Sequence, residues 1–141
     1  ETLSLRMERH VANAERIAAW LESRSEVAFV TYAGLASSPW NERARRLYPR
    51  GAGALFTFAL KGGYEACVRL VDSVELFSHV ANLGDTRSLI IHSASTTHRQ
   101  LTPEQQEAAG AAPNVVRLSI GIEDAEDLMR DLEQALAKAT A

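Results

Sequence analysis

The chain has 141 residues, of which 46% are hydrophobic and 23% are charged, and its formal net charge is −3. A chain of this size buries about 70% of its unfolded surface, so one hydrophobic core is expected, and the apolar content excludes disorder. The acidic balance argues against general nucleic-acid binding, while the lack of a long apolar run or signal-peptide pattern favours a soluble, cytoplasmic protein without membrane contact.

The first predicted element is an amphipathic helix of about five turns. Its apolar residues recur at helical spacing, and the charged residues lie mostly elsewhere. The apolar positions are Leu3, Met7, Val11, Ala14, Ala18 and Leu21. Because this helix starts without a capping residue or an initiating methionine, we expect the chain to continue upstream, with residues 1–25 as a connecting helix and residues 26–141 as a small domain.

Strands and helices then alternate along the chain. Apolar or β-branched runs predict five strands, at residues 27–32, 54–60, 74–80, 88–92 and 115–122. Short helices are expected at residues 41–47, with Asn41 as the cap, and at residues 64–71. A third begins at Thr102, which can form a capping box with Gln105, and the terminal helix is capped by Asp124. The predicted fold is therefore α+β, an α/β sandwich whose sheet is backed by the first and last helices.

Several motifs are better explained by structure than by chemistry. Gly51 and Gly53 lack the third glycine of a dinucleotide fingerprint, since Phe56 stands in its place. His92 and His98 have neither the spacing nor the third ligand of a metal site, so no metal is expected. Cys67 is the only cysteine; it lies on the apolar side of a predicted helix and is interpreted as a core residue.

Arg117 is more informative. Alternation along residues 115–122 places Val116, Leu118, Ile120 and Ile122 on one face and Arg117 on the other, among small neighbours. Its planar guanidinium could hold a carboxylate through two hydrogen bonds, although an ordinary solvated arginine fits the pattern equally well. The loop from Asn82 to Arg87 could offer backbone N–H groups at Gly84 to an anion, or could be a plain connecting turn.

Five segments together resemble the O-acetylhomoserine sulfhydrylases, pyridoxal phosphate (PLP) enzymes of cysteine and methionine metabolism. The resemblance runs in order along essentially the whole chain, but covers only the C-terminal part of such an enzyme. The segments are LSLRMERH at 3–10, GAGALFTF at 51–58, NLGDTRSL at 82–89, HSASTTH at 92–98 and VRLSIGIED at 116–124.

The resemblance implies the small C-terminal domain of the aspartate-aminotransferase type. The whole enzyme would make homocysteine from O-acetylhomoserine and sulfide, as a homotetramer. By this resemblance Arg117 grips the substrate α-carboxylate, Asn82 and Leu83 help to position it, and Thr97 lies at the cofactor edge of the site. No residue of this chain is expected to be catalytic.

The lysine content bears on the cofactor. The chain has thirteen arginines but only two lysines, Lys61 and Lys138, and neither stands in the sequence context of the family's Schiff-base lysine. The chain alone is therefore expected to bind no PLP and to be inactive, with self-association through an uncovered face as a possible behaviour. The alternatives are a free-standing amino-acid-binding regulatory domain and a relative of the cystathionine γ-synthase or lyase type.

Overall fold

The computed structural model describes residues 1–141, and its longest element is the N-terminal helix α1, Leu3–Glu22. The second half of this helix forms part of the core: Ile17 and Leu21 have no exposed surface. In the first turn Leu3 and Leu5 remain 60% and 68% exposed. The amphipathic stripe predicted from the sequence therefore faces the core only from its middle onward.

Four further helices and five strands follow α1. In chain order they are β1 (Val27–Thr31), α2 (Asn41–Leu47), β2 (Leu55–Leu60), α3 (Gly63–Ser73), β3 (Ser78–His79), β4 (Leu89–Ile91), a 3₁₀ turn (Ser93–Ser95), α4 (Pro103–Ala108), β5 (Val115–Ser119) and α5 (Ala125–Ala139). None of these helices combines the length and the hydropathy needed to cross a bilayer.

The strands form one mixed sheet in the order β1-β2-β5-β4-β3. The β1–β2, β2–β5 and β5–β4 pairs are antiparallel, and β3 runs parallel to β4. The last strand of the sequence thus lies in the centre of the sheet. Residues 117–119 of β5 are consequently flanked by β2 on one side and β4 on the other, which fixes the direction of their side chains.

Helices α1, α3 and α5 cover one face of this sheet. Phe58, Ile90 and Leu118 point into a core cluster of 25 buried residues that these helices share. The predicted α+β sandwich is confirmed, with α3 joining the first and last helices on that face. Cys67 of α3 belongs to the same cluster, and burial raises the pKa of its thiol to about 12, which confirms it as a core residue.

The opposite face is covered by loop structure. Leu89, Ile91 and Val115 are buried there, outside the main core cluster, and the 3₁₀ turn packs on β5. Gln106 of α4 holds this cover together, because its amide donates hydrogen bonds to the carbonyls of Ala94 and His98 at 3.1 and 3.0 Å. This face carries Arg117.

Two of the three predicted helix caps, at Thr102 and Asp124, are confirmed. The Thr102 hydroxyl accepts from the Gln105 backbone N–H at 3.3 Å, and the Gln105 side chain accepts from the Thr102 N–H at 3.0 Å, which completes the capping box. The Asp124 carboxylate accepts from the Glu126 N–H at 2.8 Å.

Other local predictions were wrong. Asn41 does not cap α2; it is the first helical residue, and its amide donates to the carbonyls of Ala33 and Gly34. The strand expected at 74–80 is reduced to Ser78–His79. Strand β5 ends at Ser119, so Ile122, expected on the apolar face, lies beyond the ladder and is 36% exposed.

Candidate functional site

Arg117 lies at the middle of the central strand β5. Its cross-strand neighbours are Thr57 on β2 and Ile91 on β4. The residue is half-buried, whereas Val115 and Ser119 on the same face are buried. The Arg117 guanidinium forms no ion pair within the chain, and its one hydrogen bond to protein is donated by Nη2 to the Asn82 carbonyl at 3.4 Å. Since a guanidinium carries five N–H donors, most of them are available to a ligand.

The loop that contains Asn82 closes over the end of β5. The Asn82 side-chain oxygen accepts from the Leu83 N–H at 2.9 Å, and the Gly84 N–H donates to the Ser119 hydroxyl at 3.2 Å. Gly84 has φ +74°, a conformation that glycine adopts without strain. The structure thus brings Arg117 and Asn82 together, and it places Leu83, which is 60% exposed, beside them.

A carboxylate anchors the far end of the same loop. Glu123 accepts hydrogen bonds from the Ser88 N–H at 2.6 Å and from the Ser88 hydroxyl at 2.9 Å. The Ser88 oxygen in turn accepts from the Gly121 N–H at 2.8 Å, and the Ile122 N–H donates to the Thr86 carbonyl at 2.9 Å. Residues 86–88 are therefore fixed to residues 121–123, directly beyond β5.

Helix α1 holds the same stretch from the other side. The Asn13 amide donates to the carbonyls of Gly121 and Glu123 at 3.1 and 2.9 Å, and the buried ring of His10 bonds to the Ile120 carbonyl at 2.6 Å. Arg9 also donates to the Glu123 carbonyl at 3.2 Å. These side chains satisfy carbonyl groups that leave the sheet and would otherwise lack partners.

Thr97 forms no hydrogen bond with Arg117. Its hydroxyl bonds to His98 Nδ1 at 2.8 Å. Thr97 lines an open depression of about 450 Å³ that also includes Ile91, the cross-strand neighbour of Arg117. A larger cavity of about 670 Å³ lies between α1, α2 and the loop after β1, and it includes none of the predicted site residues.

His92 supports the loop that carries Thr97. Its Nε2 bonds to the Pro113 carbonyl at 2.8 Å and its Nδ1 to the Ser95 hydroxyl at 2.9 Å. The Tyr64 ring packs edge-on against it, with 4.9 Å between the ring centroids. Burial lowers the pKa of His92. Both ring nitrogens are occupied within the fold, so this histidine is a structural residue.

Sequence reasoning missed Ser119, Ser88 and Glu123, the side chains that hold the loop. Ser119 and Ser88 are 5% and 0% exposed. The available signal was a serine within a predicted strand, at residues 88–92 and 115–122, because a hydroxyl that becomes buried in a sheet requires a hydrogen-bond partner. Glu123 gave no such signal, because it lies just beyond the predicted strand at 115–122, where a charged residue is ordinarily exposed to solvent.

A solved structure of a Campylobacter jejuni protein has the same fold. That protein is described as an O-acetylhomoserine (thiol)-lyase and carries N′-pyridoxyl-lysine-5′-monophosphate. The match has a TM-score of 0.90 and 42% identity, and it covers 96% of this chain and 32% of that chain. The fold is therefore that of an α+β portion of a PLP-dependent enzyme.

The family follows from the sequence comparisons. A family model described as Cys/Met metabolism PLP-dependent enzyme matches residues 1–137. O-acetyl-L-homoserine sulfhydrylase 1 of Thermus thermophilus is 53% identical over 97% of this chain, and O-acetyl-L-homoserine sulfhydrylase of Leptospira meyeri is 47% identical over 96%. The chain belongs to the Cys/Met metabolism PLP-dependent enzyme family. It spans about a third of the length of these relatives, namely 32% and 31%.

The two lysines of the chain each have a partner within the fold. Lys61 Nζ donates to the Ser25 carbonyl at 2.7 Å, and Lys138 pairs with Glu75 at 3.6 Å. Neither lysine lines the depression around Thr97. Both lysine ammonium groups therefore have partners within the fold, away from this depression.

Proposed function

We propose that this chain is the C-terminal part of a PLP-dependent transferase that makes homocysteine from O-acetylhomoserine and sulfide, and that it binds the substrate α-carboxylate. In this proposal residues 1–25 connect to the cofactor-binding part, and residues 26–141 form the small domain. The observation that carries the proposal is Arg117: the residue is half-buried, and its guanidinium pairs with no carboxylate of the chain and donates to the Asn82 loop. The names of the relatives supply the reaction.

Arg117 would act by electrostatic and geometric recognition. A substrate carboxylate can accept two parallel N–H bonds from the guanidinium, an arrangement that fixes its orientation as well as its position. The Asn82 carbonyl accepts a hydrogen bond from one Arg117 N–H at 3.4 Å. This bond orients the guanidinium and so sets the direction of its remaining N–H groups. Leu83 presents an exposed apolar side chain at the edge of this site, and Thr97 contributes a hydroxyl from the adjacent depression. No covalent step is assigned to a residue of this chain.

Substitution of Arg117 in the complete gene product tests the proposal. Each charge-assisted hydrogen bond is worth about 1.5–3 kcal/mol, so Arg117→Ala should lower kcat/KM for O-acetylhomoserine by about 100-fold or more. Arg117→Lys, which keeps the charge but loses the planar fork, should recover only part of this loss. Arg130→Ala, which removes an exposed arginine paired with Asp127 on α5, is the control and should leave kcat/KM unchanged. Unchanged kinetics in Arg117→Ala would show that the carboxylate is held elsewhere.

A second experiment tests the assignment of cofactor binding to another part of the enzyme. The 141-residue chain mixed with PLP should give no stable visible absorbance band and no turnover of O-acetylhomoserine. A stoichiometric band that disappears in Lys61→Ala would contradict this assignment.

The leaving group and the nucleophile are the points at which the relatives differ. L-methionine gamma-lyase of Treponema denticola is 44% identical to this chain, and O-succinylhomoserine sulfhydrylase of Pseudomonas aeruginosa is 42% identical. An elimination activity of the lyase type is therefore the second candidate function. Comparing homocysteine formation from the acetyl and succinyl esters with α-keto acid release from methionine decides between them. The oligomeric state, which we propose to be a homotetramer, can be measured on the same protein by light scattering.

A further inference from the structure

The loop of residues 80–85 has few attachments to the sheet. Two hydrogen bonds connect it to β5: the Gly84 N–H donates to the Ser119 hydroxyl at 3.2 Å, and Arg117 donates to the Asn82 carbonyl at 3.4 Å. The other hydrogen bonds of Asn82 and Leu83 stay within the loop or return to Val80. These loop residues are exposed, so packing contributes little to their position.

Ser119 is the better defined of these two attachments. The residue is 5% exposed and lies on the central strand, flanked by Leu55 on β2 and Leu89 on β4. It is two residues from Arg117 on the same face of β5, because side chains alternate along a strand. The central strand therefore defines the position of the Ser119 hydroxyl closely. The Arg117 guanidinium, by contrast, is at the end of a long side chain with many rotamers.

We infer that Ser119 is a positioning residue: its hydroxyl fixes the loop at Gly84, and thereby sets the Asn82 carbonyl that orients the Arg117 guanidinium. This inference rests on the proposed function, since it assumes that Arg117 binds the substrate carboxylate. Ser119 touches neither the substrate nor the cofactor in this assignment. Its contribution is to restrict the loop, so that the guanidinium is already aligned when the carboxylate arrives.

Kinetics of the complete enzyme test the inference. A neutral hydrogen bond is worth about 1 kcal/mol, so Ser119→Ala should raise KM for O-acetylhomoserine about 5-fold, with kcat changed less than about 2-fold. Ser119→Thr keeps the hydroxyl and should restore KM. Thr140→Val, which deletes a hydroxyl bonded to the Leu136 carbonyl at the end of α5, is the matched control and should leave both constants unchanged.

Two ligands separate positioning of the carboxylate from general damage. L-2-aminobutyrate and propylamine differ only in the carboxylate. Ser119→Ala should weaken inhibition by aminobutyrate about 5-fold and leave inhibition by propylamine unchanged. Equal losses for both ligands, or no loss for either, would overturn the inference.

A double-mutant cycle identifies the route of the effect. If Ser119 acts through Arg117, Ser119→Ala should have no further effect on KM in the Arg117→Ala background, because the group that it positions is already absent. Additive losses would overturn the inference in favour of direct contact with the substrate. If Arg117→Ala itself leaves KM unchanged, both the proposed function and the inference fail. If Arg117→Ala raises KM but Ser119→Ala does not, the proposed function stands and the inference alone fails.

Discussion

The carboxylate of Asp131 should be the most sensitive single polar group in the fold. It lies on α5, is buried, and accepts three backbone hydrogen bonds: Oδ1 from Glu75 at 2.8 Å, and Oδ2 from Leu76 at 2.8 Å and from Phe77 at 3.1 Å. Removing it leaves three N–H groups without partners. At about 1 kcal/mol for each of the two half-buried groups and about 2 kcal/mol for the buried Phe77 N–H, Asp131→Ala should lower the free energy of unfolding by about 4 kcal/mol.

Urea unfolding of the chain, followed by far-UV circular dichroism, measures this loss. With a denaturant dependence of about 2 kcal/mol per M, the midpoint for Asp131→Ala should fall by about 2 M. Asp131→Asn keeps one acceptor oxygen for Leu76 and Phe77 but turns an NH₂ group toward Glu75, so about half of that shift is expected. Asp72→Asn, an exposed carboxylate on α3, is the control and should move the midpoint by less than about 0.3 M. A shift below about 0.5 M in Asp131→Ala would refute the reasoning.

Two further predictions concern His92 and Gly121. Burial lowers the pKa of His92 below its ordinary value of 6.5, so between the folded and unfolded pKa values the unfolded chain binds more protons. The free energy of unfolding should therefore have its full value above about pH 6.5 and should fall as the pH is lowered below it. His92→Gln should reduce this pH dependence, which urea titrations at pH 7.5 and 5.5 measure. Gly121→Ala would place a Cβ 2.3 Å from the Thr86 carbonyl oxygen, so it should lower the free energy of unfolding by about 2–3 kcal/mol. Gly84→Ala meets no neighbour but must adopt φ +74°, and it should cost only about 1 kcal/mol in the same assay.

Local sequence signals predicted the elements that depend on local interactions. The capping box at Thr102 and the cap at Asp124 were read from residues two or three positions apart, and both are present. The alternation of apolar and polar residues likewise placed Leu118 and Arg117 on opposite faces of β5. These features depend on the periods of the helix and the strand, which a single sequence displays directly.

Long-range pairing limited the rest of the prediction. Residues 74–80 have the composition of a strand, but Asp131 takes the N–H groups of residues 75–77, so these groups are not available to a neighbouring strand. The Asp131 carboxylate is more than 50 residues away in sequence from these N–H groups. The local sequence therefore gives no sign that it competes for them with a neighbouring strand. The sheet order has the same origin, because the central position of β5 depends on pairing with β2 and β4 across intervening helices.

The candidate site shows how these two kinds of information combine. The pattern around Arg117 allowed either a solvated arginine or a carboxylate ligand, and the family resemblance favoured the second. The structure adds the surroundings: Ser119 holds one end of the Asn82 loop and Glu123 holds the other. Residues 119–123 therefore connect the arginine strand to the loop at two points.

Helix α1 extends this connection beyond the site. Asn13 and His10 bond to the carbonyls of residues 120, 121 and 123, while Glu123 bonds to Ser88 at the base of the loop. A displacement of α1 along its axis would strain these bonds and would act on the loop through Glu123. Because the second half of α1 is itself part of that core, the helix and the loop are held as one unit. In the complete enzyme, the proposed connecting helix would thus carry the carboxylate site with it.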